Sequence, residues 1–396
     1  MKSKKFLAIG VIAALGLAAC GSDDDDSSST DAPAETGAPE TDAPTGTEAM
    51  TDESGSFVTL DDACASLDGL EAPDGFTVNL VTDIGKVDDG TFNQFAFEGM
   101  QAAADCFGIE DTSFIETVSE ADYAANIATA LENDPNTLVT VGFLITSDTE
   151  EAATANPDVD FIGIDQFLPE YPANMQGISF NEDESGYIAG VLAASLSESG
   201  VVGVVAGRED VPPVVKFVNG YTVGVDSVDP AIRVLSIYNE SFTDIAKGSS
   251  DASQFIGEGA DVIFGAGGQT GSGGIQAAAA AGAWAIGVDQ DEYYTTFASG
   301  SAPGSEYLAS SAIKRVDLVT FRLIAESIQD QFEGGLLVGT AANDLITYAE
   351  PHDAVFPAEV SDAVEAARAG LADGSLTTGI CGIDGLFLGE GSQCDD

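Results

Sequence analysis

Short apolar runs rich in β-branched residues alternate along this chain with Ala-rich stretches of helical character. The runs predict strands at 78–82, 138–144, 160–164, 201–206, 232–238, 261–265 and 284–288. The stretches between most of them predict helices at 94–107, 121–132, 186–198, 213–227, 249–257 and 274–281. Strands that alternate with helices form parallel sheets joined by right-handed crossovers. The sequence therefore predicts an α/β fold of parallel sheets flanked by helices.

The first 20 of the 396 residues have the pattern of a secretory signal. Lysines precede an apolar run from Phe6 to Ala18 that is too short to span a membrane as a stable helix. The run leads into Leu17-Ala18-Ala19-Cys20, which resembles a bacterial lipobox, in which the cysteine is acylated and becomes the mature N-terminus. We expect 1–20 to be a lipoprotein signal peptide and Cys20 the lipidated residue, although a plain signal peptide with an incidental cysteine remains the alternative. The lipobox predicts an exported protein that is lipid-anchored to the outer face of the cytoplasmic membrane.

Residues 21–57 are dominated by Asp, Glu, Ser, Thr, Pro, Ala and Gly. Such a segment buries too little apolar surface to offset its ordering entropy, so we expect a disordered acidic tether. Cation binding by the run Asp23–Asp26 is the less favoured alternative. The remaining body of roughly 340 residues is long enough for two lobes, because single cores stop growing at about 250–300 residues.

The formal net charge of −55 becomes −58 once the three lysines of the signal are removed. A body this acidic repels nucleic acid and anionic lipid headgroups and is poorly suited to phosphates. The composition therefore excludes nucleic acid as a partner and suits a soluble protein in a saline medium.

Besides Cys20, the chain has an even number of cysteines, namely Cys64, Cys106, Cys381 and Cys394. In an exported protein this favours two disulfides, for which three pairings are possible. We prefer Cys64–Cys106 and Cys381–Cys394 because the members of each pair are near in sequence. Zinc is the alternative, but the chain has no CxxC and no nearby histidine, and we expect no metal and no cofactor.

Groups suited to ligand binding follow one predicted strand after another. They are Asp83, Phe143, Asp165, the glycines of 265–268 and Asp289. Ligands of parallel sheets bind beyond the carboxyl ends of the strands. We therefore expect one site assembled from several strand ends, in which Gly267 lets the backbone approach the ligand and Phe264 adds an aromatic wall.

The chain also contains, in order, VTDIGKVDDGTFNQFAFEG, FIGIDQF, GISFNEDESGYIAGVLAA, GVVAGREDVPPVVKFVNGY, DVIFGAGGQTGSGGIQAA, AIGVDQDEY and SSAIKRVDL. From about Phe76 to Tyr348 it thereby resembles the basic membrane lipoprotein family, substrate-binding lipoproteins of ABC importers whose characterised members bind purine or other nucleosides. The resemblance implies a two-lobed type I periplasmic-binding-protein fold with hinge crossings near 180, 300 and 340. It assigns 58–180 and 301–340 to the N-terminal lobe, and 181–300 and 341–396 to the C-terminal lobe.

The resemblance also implies which residues bind the ligand. The first lobe would contribute Asp83 and the turn residues Phe92, Asn93 and Gln94, and the later motifs would contribute Asp165, Asp289 and Lys314. An aromatic ring can stack on a base, a carboxamide matches a base edge, and carboxylates accept hydrogen bonds from ribose hydroxyls. Two features depart from the family: the turn Arg208-Glu209-Asp210, where small residues are usual, and the extreme acidity.

Other functions fit the sequence less well. The glycines of 265–274 imitate a dinucleotide fingerprint, but Thr270 stands where a glycine is required. No Gly-x-Ser-x-Gly elbow accompanies the only histidine, His352, so an enzyme is not expected. Asp83, Asp88 and Asp89 faintly imitate the calcium site of a nucleoside hydrolase.

The sequence thus predicts a monomeric receptor that delivers a nucleoside to the permease and ATPase of an ABC importer, and the resemblance implies a purine nucleoside. A sensory receptor is the main alternative, because both roles use closure of two lobes.

Overall fold

The computed structural model describes residues 58–395, so the predicted signal peptide, Cys20 and the tether 21–57 lie outside the described residues. The strands are β1 Thr77–Ile84, β2 Asp111–Thr117, β3 Thr137–Val141, β4 Asp160–Ile164, β5 Met175–Phe180, β6 Val201–Ala206, β7 Arg233–Tyr238, β8 Val262–Ala266, β9 Trp284–Asp289, β10 Leu308–Lys314, β11 Gly335–Gly339 and β12 Ile346–Tyr348. The α-helices are α1 Leu60–Ser66, α2 Phe92–Phe107, α3 Tyr123–Leu131, α4 Thr146–Ala155, α5 Glu182–Leu196, α6 Pro212–Val228, α7 Ile245–Gly257, α8 Gly268–Ala280, α9 Val316–Ile328 and α10 Ala358–Ala372.

The strands form two six-stranded sheets, one in each lobe. The first has the order β11-β5-β4-β3-β1-β2 and is parallel throughout. The second has the order β12-β10-β9-β8-β6-β7, and only the short edge strand β12 is antiparallel to its neighbour. The central strands β3 and β8 are buried along their whole length, which explains their continuous apolar runs. The predicted two-lobed α/β fold is confirmed.

The chain passes between the two sheets three times. It leaves the first sheet after β5, returns after β10, and crosses again between β11 and β12. The prediction of a crossing near 300, with 301–314 in the N-terminal lobe, is wrong, because β10 pairs with β9 and β12 in the second sheet. The second crossing therefore lies between Lys314 and Val316, where α9 begins and packs against α2 of the first lobe.

Helices α5 and α6 pack unusually closely, and glycines make this possible. A Cβ atom on any of four glycines would overlap a backbone carbonyl of the facing helix. The pairs are Gly186 with Phe217, Gly190 with Tyr221, Gly220 with Asp183 and Gly224 with Tyr187. Each helix thus carries a Gly-xxx-Gly motif, and the two motifs let the helix backbones come into contact. This contact fixes the start of α5, next to the first crossing, against α6.

Both predicted disulfides are present. Cys64 of α1 bonds to Cys106 near the end of α2, with 5.8 Å between the Cα atoms. Cys381 bonds to Cys394, and the bond closes a short loop after α10. The first disulfide ties the N-terminal helix to the first lobe, and the second closes the C-terminal segment on itself.

The glycine contact leads to a stability prediction. Gly190→Ala forces a methyl group into the backbone of α6, and we expect it to lower the free energy of unfolding by about 1–3 kcal/mol. Gly257 is the last residue of α7, and a Cβ atom added there would have no neighbouring atom within 4 Å, so Gly257→Ala is the matched control. We expect the control to be neutral or to stabilise by up to about 1 kcal/mol. Urea unfolding measures both, and equal effects would contradict the close packing of α5 and α6.

Candidate ligand-binding site

A cavity lies between the lobes at the carboxyl ends of the strands. It contains about 660 Å³ of space outside the protein atoms, part of which is open to solvent. The strand ends that reach it belong to β1, β3 and β4 in the first sheet and to β8, β9 and β10 in the second. The predicted residues that line it are Asp83, Phe92, Asn93, Phe143, Asp165, Gly267, Asp289 and Lys314.

Two of the lining carboxylates stand on strained backbone. Asp165 has φ +59° and Asp289 has φ +67°, both in the left-handed region. Asp tolerates this region better than most residues, but the conformation still has an energetic cost and is concentrated at functional sites. Each aspartate directly follows or ends a buried strand, so the turn aims both carboxylates into the cavity.

The ammonium of Lys314 is buried and joins residues of both lobes. Its Nζ lies 2.5 Å from Asp165 Oδ2, 3.2 Å from Glu182 Oε1 and 3.9 Å from Asp289 Oδ1. Glu182 also pairs with Lys216, whose Nζ lies 2.5 Å from Oε2. We call these five residues the hinge charge network, because Glu182 follows the first crossing and Lys314 precedes the second. The neighbouring Arg315 pairs with Asp317.

Burial and neighbouring charges set the protonation of these groups. Burial raises the pKa of Asp289 to about 7, and the attraction of Lys314 at 3.9 Å only partly opposes it. Burial also raises the pKa of Asp83 to about 6, against the hydrogen bond from Tyr123. For Glu182, burial is outweighed by Lys216 and Lys314, so its pKa lies below the ordinary value. Burial likewise raises the pKa of Asp165 to about 6, against the attraction of Lys314. Three of the carboxyl groups that line the cavity, those of Asp83, Asp165 and Asp289, therefore have pKa values raised toward neutrality.

Aromatic rings from both lobes flank the lysine. Lys314 Nζ lies 4.5 Å from the ring centroid of Phe92 in the first lobe and 5.8 Å from that of Phe217 in the second. Phe143 and Phe242 also line the cavity. The site therefore combines an apolar, aromatic wall with a charged end, as ligand sites for amphipathic small molecules do.

The turn before α2 is held together by its own polar groups. Asp89 accepts hydrogen bonds from the amides of Thr91, Asn93 and Gln94, and so caps the helix. The carboxamide of Asn93 accepts from the Asp83 amide and donates to Asp89. The structure therefore gives Asn93 a bracing role as well as a place in the cavity wall, and uses Asp89 as a helix cap.

Two predicted residues do not line the cavity. Gln94 accepts from the Gly90 amide and donates to Glu98, which turns its side chain away. Phe264 is fully buried and packs on Tyr221 and Phe217 in the core, because it points to the helix-covered face of its sheet rather than along the strand end.

Sequence reasoning missed two aromatic residues that do line the cavity, Phe217 and Phe242. Phe217 follows Lys216 in the second turn of α6, within the motif PPVVKFVNGY, which was the one available signal. Phe242 lies in the loop after β7 and rests where a Cβ on Gly207 would be. A Cβ on Gly267 would overlap the backbone of Gly207, so a glycine is required there. The requirement comes from packing within the protein, whereas from the sequence we expected it to come from the ligand.

Hydrogen bonds and an ion pair join the lobes around the cavity. Arg208, from the unusual turn after β6, forms an ion pair with Glu120 of the first lobe and also pairs with Asp210. Gln290 donates to the Thr91 carbonyl at 3.0 Å, and Thr295 donates to the Gly90 carbonyl at 2.7 Å. Opening the cavity would break all three contacts between the lobes.

This arrangement agrees with comparisons to known proteins. A family model described as "ABC transporter substrate-binding protein PnrA-like" matches residues 76–361. The chain belongs to the Bmp family. Its members are substrate-binding proteins of ABC transporters, not enzymes, and they act outside the cytoplasm on small-molecule ligands.

Relatives of this Bmp protein include a nucleoside-binding protein. This chain is 31% identical over 320 residues to the "ABC transporter nucleoside-binding protein BmpA" of Lactococcus lactis subsp. cremoris. The match covers 75% of this chain and 87% of that one. Basic membrane protein D of Borreliella burgdorferi is 31% identical over 272 residues, covering 67% and 76% of the two chains.

Solved structures give the fold of this Bmp protein independently. An ABC transporter solute-binding protein from Aeropyrum pernix K1 superposes with a TM-score of 0.68 at 23% identity, covering 76% of this chain and 92% of that one. A solute-binding protein from Conexibacter woesei gives 0.61 at 22% identity, with coverages of 76% and 98%. Within residues 58–395, no helix has the length and apolar character that crossing a membrane requires.

The raised pKa of Asp289 gives a prediction about stability and pH. Since the folded-state pKa is about 7 and the ordinary value 3.8, the folded protein keeps a proton that the unfolded chain has released between these values. The free energy of unfolding therefore falls as the pH rises through this window. Asp289→Asn removes this loss, and we expect it to stabilise the protein at pH 8 by on the order of 1–3 kcal/mol.

The gain should shrink to nothing as the pH falls toward 4. Asp134→Asn is the matched control, because Asp134 also has left-handed backbone, with φ +48°, but is exposed. Urea unfolding of both variants between pH 4 and 8 is the measurement. A pH-independent difference for Asp289→Asn would contradict the buried, weakly compensated carboxyl group.

Proposed function

We propose that this Bmp protein captures a nucleoside, with purine nucleosides preferred, between its two lobes and delivers it to an ABC importer. The observation that carries the proposal is the composition of the cavity wall, in which aromatic rings of both lobes stand beside several carboxyl groups and one ammonium. A nucleoside has the matching parts, namely a flat base and a sugar with hydroxyl donors.

The aromatic part of the cavity suits a planar base. Phe92 and Phe217 come from opposite lobes and both lie within cation–π distance of the same ammonium. A base between them would gain on the order of 0.5–1.5 kcal/mol per ring beyond its area burial. The larger face of a purine gains more from such contacts than a pyrimidine, which supports the purine preference.

The charged part suits hydroxyl groups and disfavours phosphates. Four carboxyl groups line the cavity, those of Asp83, Asp89, Asp165 and Asp289, against the ammonium of Lys314. Ionised carboxylates accept hydrogen bonds from hydroxyls strongly, whereas a phosphate would meet mostly like charge. The name of the Lactococcus relative, a nucleoside-binding protein, agrees with this ligand class.

Nucleoside titration tests the proposal. We expect adenosine, guanosine and inosine to bind the body 58–396 more tightly than cytidine or uridine, and the corresponding monophosphates to bind weakly or not at all. Phe92→Ala should weaken every nucleoside by about 1 kcal/mol or more through lost stacking. Phe114→Ala is the control, since that ring is half exposed on β2 and packs only on Phe97 among the aromatic side chains described.

A second variant separates recognition of the sugar from that of the base. At pH 8, above the pKa of about 7 for the Asp289 carboxyl, Asp289→Asn should weaken ribonucleosides by about 1.5–3 kcal/mol, the value of a hydrogen bond to a charged group, and 2′- or 3′-deoxynucleosides less. Calorimetric titration measures both series. If no nucleoside binds the wild type at millimolar concentration, the ligand assignment is wrong. If nucleosides bind but neither Phe92→Ala nor Asp289→Asn changes their affinity, the assignment of the site is wrong.

The proposed delivery requires the protein to stay near the importer, and we propose that a lipid on Cys20 holds it there. Cys20→Ser should release the protein from the membrane fraction while leaving nucleoside affinity of the body unchanged. Alkaline extraction followed by immunoblotting measures the distribution, with Cys64→Ser as the control for loss of a cysteine elsewhere. Unchanged membrane association of Cys20→Ser would contradict lipid anchoring.

A further inference from the structure

The C-terminal segment after α10 packs against the hinge region. It includes the loop closed by Cys381–Cys394, and it lies beyond residue 361, where the family match ends. We call residues 378–394 the C-terminal loop. Its contacts are with the start of α5 and the first turns of α6, not with solvent alone: Thr378 donates a hydrogen bond to Asp183, and Asn219 donates to the Gly385 carbonyl at 2.7 Å.

Gly385 shows that the loop is fitted closely to α6. It has φ +76°, and a Cβ atom there would lie 2.8 Å from the Lys216 amide nitrogen and 3.0 Å from Lys216 Cγ. Gly389 in the same loop has φ +87°, but a Cβ atom there would have no neighbouring atom within 4 Å. Cys381 is 1% exposed. The loop therefore covers Lys216 by direct contact, and a side chain at position 385 could not be accommodated unless the loop moved away from α6.

Lys216 is the point where the loop meets the hinge charge network. Its Nζ donates to the Gly382 carbonyl at 3.3 Å. It also donates, at 2.5 Å, to the carbonyl of Phe180, the last residue of β5. The same ammonium pairs with Glu182, which in turn contacts Lys314. A continuous series of buried polar contacts thus runs from the loop, through the first crossing, to the ammonium in the ligand cavity.

We propose that the C-terminal loop is a positioning element for the ligand site, acting through Lys216. By covering Lys216 and bonding to Asp183, the loop holds Glu182 in place, and Glu182 orients Lys314 between Asp165 and Asp289. The effect on ligand binding rests on the proposed nucleoside function. Lys216 is not one of the residues that line the cavity, so its effect on the ligand is indirect.

The physical basis is the desolvation of the paired charges. Ion pairs in a low-dielectric interior are strong only while water is excluded and their remaining hydrogen bonds are satisfied. A displaced loop admits water to Lys216 and removes the Gly382 carbonyl. Glu182 then gains freedom to follow Lys216, and Lys314 loses one of the groups that fix its position.

The test compares Gly385→Ala with Gly389→Ala in the otherwise intact body. Both add the same methyl group to a left-handed position of one loop, but only the first drives it into α6. We expect Gly385→Ala to raise the Kd for the tightest-binding purine nucleoside by about 2- to 30-fold, the range of indirect coupling mutations. Gly389→Ala should leave the Kd unchanged. Asn219→Ala, which removes one hydrogen bond to the loop, is a milder second variant and should shift the Kd in the same direction.

Hydrogen exchange gives a readout that needs no ligand. Gly385→Ala should reduce the protection of amides 185–189, the first amides of α5 that can bond within the helix, more than that of β3 or β8, whereas a general loss of stability would affect all of them alike. If Gly385→Ala has the same Kd and the same protection at the start of α5 as Gly389→Ala, the proposal is wrong. If the wild type binds no nucleoside, the proposed function fails while hydrogen exchange still decides whether the loop holds the hinge.

A double-mutant cycle tests the route through Lys216. Lys216→Met alone should weaken binding, and Gly385→Ala should then add little, because both changes act on the same contact. Lys247→Met, at a half-exposed ion pair with Asp251, is the control for loss of a lysine. Full additivity of Gly385→Ala and Lys216→Met would show that the loop does not act through Lys216.

Discussion

The buried ammonium of Lys314 is the constraint on which the two-lobed structure depends. A charge in the protein interior is tolerable only when opposite charges and hydrogen bonds surround it. Its partners come from the end of β4, the start of α5 and the end of β9. No single lobe can supply this set, so the ammonium is stabilised only when both sheets and two of the crossings are assembled together. Lys314, Asp165 and Asp289 also line the cavity, so the candidate ligand site lies at the hinge.

The α5–α6 contact gives the hinge charge network its precision. Glycines on both helices bring the backbones into direct contact, and this fixes Glu182 on one helix opposite Lys216 on the other. Bulky residues at these positions would hold the helices farther apart and separate the two charges. Packing and electrostatics are therefore linked here: small residues set a distance, and the distance determines whether a buried ion pair forms. The C-terminal loop then covers this pair from the outside.

The carboxylates of the cavity illustrate how a binding site stores unfavourable free energy. Asp165 and Asp289 adopt left-handed backbone, and burial raises the pKa of Asp289 to about 7. A protein selected for stability alone would place neutral residues or glycine at such positions. Groups that are incompletely paired within the protein are those that gain most from a ligand with hydroxyl donors. The strained, partly compensated carboxyl groups and the proposed preference for nucleosides thus have the same origin.

The sequence by itself determined the central strands and the helices between them, and with the family resemblance it identified eight of the residues that line the cavity. Short apolar runs such as those of β3 and β8 indicate buried strands, and groups at the carboxyl ends of parallel strands meet at one edge of the sheet. Tertiary structure alone decided the sheet of β10, since its Ser- and Ala-rich sequence has little strand preference and becomes a strand by pairing with β9 and β12. It also brought Phe217 and Phe242 to the cavity and kept Phe264 in the core. The reason is that local sequence fixes what an element is, whereas the face that a ring presents depends on which distant backbone packs against it.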